Sequence, residues 1–173
     1  GVAMLPASGE ELQEALTTAE QAMILAEREA AQAELLAAAQ AARVKVACNA
    51  SDAAQAAADA AAADSLELDN AVIAARDLVA EATAAAEAAA NATPATSEWK
   101  RERQAKRHAE LGEAADEARA LLITRQKEAD EAKVICESLA REAAAYEEKV
   151  WDVCMKAATE ERLADEAKAK AAE

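Results

Sequence analysis

The sequence predicts an all-α protein, an elongated bundle of about three long antiparallel helices with coiled-coil-like packing. Three observations predict it. About a third of the 173 residues are Ala, aromatics make up 2% and Phe is absent. Apolar residues recur at alternating steps of three and four over long stretches. Gly occurs three times and Pro twice, so few positions interrupt a helix. Ala is the strongest helix former, yet burying its methyl yields far less than the roughly 1.5–3 kcal/mol of a buried Leu or Phe. Many small contacts between long helices are the economical way to fold such a chain.

The first helix is predicted over 10–47, following Pro6 and Gly9. Ser8 and Glu11 have the capping-box spacing that satisfies free N–H groups at a helix start. Its seam runs through Leu12, Leu16, Ala19, Met23, Ala26, Ala30, Ala33, Ala37, Gln40 and Val44. The stretch Val44-Lys45-Val46-Ala47-Cys48-Asn49-Ala50-Ser51 predicts a reversal. β-Branched residues lower helix propensity, and Asn49 and Ser51 suit a turn and a new cap.

The second helix is predicted over 51–91. One frame passes through Ala54, Ala58, Ala61, Ser65, Leu68, Val72, Ala75, Val79, Ala82, Ala86 and Ala89. A rival reading puts the reversal at Asp64-Ser65, a second site with cap spacing. The stretch 91–97 is the clearest break, with Pro94 placed to open the next helix and Thr93 to cap it.

The third helix is predicted over 96–172. Its seam is Leu111, Ala115, Ala118, Leu122, Arg125, Ala129, Ala132, Cys136, Leu139, Ala143, Tyr146, Val150, Val153 and Ala157. Gly112 falls beside that seam. Glu102–Lys106, Glu137–Arg141, Asp152–Lys156 and Glu166–Lys170 have ion-pair spacing on the exposed face. The third helix is about twice as long as either of the others, so its second half lacks a partner. Either the chain bends, a second chain packs there, or the first reversal is placed too early. The whole is read as a single elongated domain, 1–173.

The net charge of −15 excludes the cationic stripe that a phosphate backbone attracts, so nucleic acid is not an expected partner. It favours solubility at high local density. No run of about 18 apolar residues spans a bilayer. Three cysteines without Cys-x-x-Cys spacing argue against zinc or dithiol redox chemistry. With three helices, residues near 136 return to the level of the first turn, so Cys48 and Cys136 form a candidate disulfide and Cys154 stays free or intermolecular. Three buried free thiols are the alternative. Two sequons, Asn49-Ala50-Ser51 and Asn91-Ala92-Thr93, fall in the two predicted turns, which makes Asn49 and Asn91 candidate glycosylation sites. The basic run Lys100–His108 after Trp99 reads as internally compensated by Glu10, Glu11, Glu14 and Glu20. His108 has no Cys or His beside it to share a metal. The carboxylates lack a pocket that would push two pKa values apart, and no Gly-rich phosphate loop exists. No catalytic residue, metal ligand or cofactor is therefore expected.

Tracts such as Ala26-Glu27-Arg28-Glu29-Ala30-Ala31-Gln32-Ala33-Glu34 and Glu81-Ala82-Thr83-Ala84-Ala85-Ala86-Glu87-Ala88 dominate the chain. Together with the scattered cysteines and the sequons, they resemble the glutamic acid/alanine-rich surface proteins of Trypanosoma congolense and, in shape, the variant surface glycoproteins of African trypanosomes. The resemblance is compositional and carries no site residues. It implies a non-enzymatic coat protein on the plasma membrane, held by a glycosylphosphatidylinositol anchor beyond Glu173 and packed among neighbouring coat molecules. A receptor for a host or vector ligand and a cytosolic coiled-coil scaffold are the other two classes.

Overall fold

The computed structural model describes residues 8–172. Two long helices account for nearly all of them: α1, Gly9–Ala90, and α2, Glu98–Ala172. Neither Gly nor Pro stands between Gly9 and Pro94, so nothing in the backbone forces α1 to stop. The three-helix reading is therefore corrected to two. Val44, Val46, Asn49 and Ser51 all lie inside α1, as do Asp64 and Ser65. The propensity deficit of two valines and a short polar pair is a few tenths of a kcal/mol per residue. An uninterrupted seam outweighs it. Ala47 and Ser51 carry the three-four step from Val44 to Ala54, and all four side chains are half-buried. Of the three explanations for the long last helix, the misplaced reversal is the one that holds.

The ends follow the predicted chemistry in part. The Ser8 N–H donates to Glu11 Oε2 (3.1 Å) and the Glu11 N–H donates to Ser8 Oγ (3.3 Å), a complete capping box. Pro6 lies outside the described residues. At the second helix the cap is Ser97, not Thr93. The Lys100 N–H donates to Ser97 Oγ (3.4 Å), and Pro94 stays in the connection. Gln104, one turn further on, clamps that connection. Its Nε2 donates to the Thr93 carbonyl (3.0 Å) and its Oε1 accepts from the Ala95 N–H (2.9 Å).

The chain divides into two units, residues 1–52 with 144–173, and residues 53–143. Within each, a stretch of α1 packs against a stretch of α2. In the first, Lys168 Nζ lies 2.8 Å from Glu34 Oε1. In the second, Lys133 Nζ lies 3.0 Å from Asp69 Oδ1, and Arg76 Nη2 donates to Gln126 Oε1 (3.4 Å). The two pairings of the second unit match residue i of α1 with residue 202 − i of α2, so the helices run antiparallel there, and Glu34–Lys168 in the first unit has the same sum.

The seam has heptad form. On α1, position a holds Ala30, Ala37, Val44, Ser51, Ala58, Ser65, Val72, Val79 and Ala86, and position d holds the alternate residues from Ala26 to Ala89. On α2, position a runs from Ala115 to Ala171 and position d from Leu111 to Ala167. All are half-buried or buried. The fully buried hydrophobic residues among those described are Ala58, Val72, Ala75, Ala115, Ala129, Ala143 and Ala164. Six of these seven carry a single methyl, so the stability of each unit is spread thinly along its length. Arg125, the charged seam residue of the middle of α2, is half-buried and keeps its charge paired to Glu128 Oε2 at 2.8 Å.

Candidate functional site

The residues singled out in the sequence are dispersed. Cys48 lies in α1 within the first unit, Cys136 in α2 within the second, and all three cysteines are half-buried free thiols. Without a reversal at residue 48, the geometric ground for joining Cys48 to Cys136 is gone. Asn49 is exposed in the middle of α1, not in a turn, whereas Asn91 is exposed just past the last residue of α1. The expected compensation of Lys100–His108 by Glu10, Glu11, Glu14 and Glu20 also depended on the reversal. Those glutamates belong to the first unit and the basic run to the second. Arg103 instead stacks over Trp99, 4.8 Å from the ring centroid, and Lys106 lies 4.0 Å from Glu110. Of the four expected ion pairs, Glu137–Arg141 forms at 3.6 Å. Glu166 pairs back to Arg162. No group of three or more His, Cys, Asp or Glu side chains among the described residues is set to hold a metal ion. No described helix is long and apolar enough to cross a membrane.

What the register does bring together is two unlike flanks along the seam. Position e carries the polar pairs that tie the helices: Glu34–Lys168, Asp69–Lys133 and Arg76–Gln126. Position g is mixed: Leu36, Ala50, Ala57, Ala71 and Leu78 on α1 and Leu121, Ile135 and Leu163 on α2 stand beside Arg43, Asp64, Glu128, Lys149 and Lys156. Among the described residues no ion pair or side-chain hydrogen bond joins α1 to α2 at position g, and Leu36, Leu78, Leu121, Ile135 and Leu163 are exposed there.

Compared with protein-family models, curated proteins and solved structures, the chain has no match.

The first unit holds a groove of about 550 Å³. Val46, Ala47, Ala50 and Val153 form its floor. Arg43, Lys149 and Lys156 stand on its rim with Asp152 as the lone carboxylate, and Lys149 Nζ sits 5.0 Å from the Tyr146 ring centroid. The second unit holds one of about 490 Å³ with the opposite charge. Its floor is Ala61, Leu68, Ala132 and Ile135, and its rim is Asp64, Glu128 and Glu131 with Arg125, where Glu128 is paired to Arg125 and Glu131 to Lys127. Neither groove combines a nucleophile with a base and an orienting partner, the minimum for covalent catalysis. An apolar floor with a charged rim is the anatomy of a surface that binds another surface. Sequence reasoning missed both grooves because a g position is recognisable only after the partner helix is known.

Proposed function

We propose that this chain is a non-enzymatic coat protein that shields the outer face of a plasma membrane, held there by a lipid anchor and packed among copies of itself. The observation that carries the reading is the alanine seam. Single-methyl contacts let two helices lie close together, so each unit presents a small cross-section, and small cross-sections pack densely on a surface. The net charge of −15 supports the same reading, because like charge limits unspecific clumping at high density. The likeness of the alanine–glutamate tracts to trypanosome surface proteins adds the cell-surface setting.

The free state of all three thiols favours a second reading, a cytosolic helical scaffold, since thiols stay reduced in the cytosol. Antibody staining of intact cells that make the protein separates the two. A coat protein is stained without permeabilisation and is released by a phospholipase that cleaves inositol-lipid anchors. Staining only after permeabilisation overturns the coat reading and leaves the scaffold.

A further inference from the structure

The first unit gathers cations on a chain that is short of them. Lys and Arg number 19 against 34 Asp and Glu, yet Arg43, Lys149 and Lys156 surround one apolar groove in which Asp152 is the single carboxylate. None of the ion pairs among the described residues uses any of these three cations. Lys149 instead holds its ammonium 5.0 Å from the centre of the Tyr146 ring. All the lining residues belong to the first unit. Size and shape select what such a groove takes. It spans residues 42–50 of α1 and 146–156 of α2, about 12–15 Å at 1.5 Å per residue. A docked helix is held by a seam that runs on for several heptads, which this floor is too short to offer. Its apolar atoms line a concavity, where a flat lipid surface does not reach them. A volume of about 550 Å³ with an apolar lining and a few charged groups is the anatomy of a small-ligand site.

We infer that this groove binds a medium-chain amphiphilic anion, a fatty carboxylate in type, with its chain on the floor around Val46 and Val153 and its head group among the rim cations. The chain removes from water apolar surface that the two helices leave open. The planar fork of Arg43 matches a carboxylate through two parallel hydrogen bonds, and the lysines add charge without fixing geometry. Charge sets the specificity. A cationic amphiphile of the same length meets the same floor but is repelled by the rim. The site rests on the first unit alone and holds for a coat protein and a scaffold alike.

Decanoate titrated into the full chain, below the concentration at which it forms micelles, tests it. Tyr146 is the only tyrosine, so its ring signals in NMR report the groove directly. In the wild type they are expected to shift to saturation, and the binding to weaken as salt screens the rim. Arg43→Glu with Lys156→Glu is expected to weaken binding on the order of tenfold or more. Val46 is 69% exposed, so Val46→Glu places a carboxylate in the groove without touching the seam, and it is expected to weaken binding too. Lys100→Glu with Arg107→Glu makes the same change of net charge in the second unit and is expected to leave binding as it is. Circular dichroism of each variant checks that the helices remain. Tyr146 signals that do not move with decanoate, an equal response to decyltrimethylammonium, or a loss in the Lys100 and Arg107 variant as large as in the groove variant each overturn the inference. Vesicles of anionic phospholipid that shift Tyr146 more strongly than decanoate at equal concentration overturn it as well, and make the groove a membrane contact.

Discussion

Lys168 Nζ rests 2.8 Å from Glu34 Oε1, joining the last turns of α2 to a point more than three heptads into α1. The hydrogen bond and the charge of Glu34 raise the pKa of Lys168 above its ordinary value, with desolvation working against them and Asp165 adding a smaller share. A raised lysine pKa contributes stability that is fully present below the unfolded value of 10.5 and is lost as pH rises through the folded value. The stability difference between wild type and Lys168→Met is therefore expected to stay constant from neutral pH to about pH 9 and to shrink only in strong alkali. In NMR titration, Lys168 is expected to lose its proton at lower pH in Glu34→Ala than in the wild type. Coincident titrations would mean that the pair does not hold in solution.

Gly112 sits in the interior of α2, has a helical backbone, and a methyl added there would meet nothing within 4 Å. It has no conformational or steric reason to be Gly. Gly112→Ala is expected to raise stability by about 0.5–1 kcal/mol in chemical denaturation.

Ala129 is wholly buried and Val72 nearly so, and both lie on the seam of the second unit. Val72→Ala is expected to cost about 1–2 kcal/mol. Ala129→Leu adds three carbons where the helices lie close, and is expected to cost about 1–3 kcal/mol. Urea unfolding monitored by circular dichroism measures both. A tolerant Ala129→Leu would show that the seam is not closely packed.

Cys48 and Cys154 also satisfy the 202 − i relation and share position e with Glu34–Lys168, two heptads away in the same unit. A short bismaleimide added to the dilute native protein is expected to join Cys48 to Cys154 within one chain, read as a cross-linked peptide by mass spectrometry. A Cys48–Cys136 cross-link would restore the reversal at residue 48 and overturn the register.

Much of this was legible in the sequence and some was not. Every seam residue assigned to α2, from Leu111 to Ala157, is half-buried or buried, because a heptad frame reports helix–helix contact directly. The seam of α1 is equally visible from Ala26 onward, whereas Leu12, Leu16, Ala19 and Met23, expected as its first steps, are exposed, and the local propensity of Val44–Ser51 argues for a break that α1 does not make. The contrary signal lay in the same residues, since Val44, Ala47, Ser51 and Ala54 never lose phase. A break there would take away the partner of Tyr146, Val150 and Val153, and with it the groove of the first unit. The Gln104 clamp had no signature, because a side-chain amide that bridges a carbonyl and an N–H in a connection depends on the path of that connection.

That clamp also governs how the chain folds. Gln104 and Thr93 are close in sequence, so closing the connection costs little loop entropy, whereas Glu34 and Lys168 must meet from opposite ends of the chain. Assembly is expected to start beside Pro94, and Lys168–Glu34, the pair most widely separated in sequence, to form late. Gln104→Ala is then a kinetic lesion. It should slow refolding more than it hastens unfolding, as a substitution inside the nucleus does.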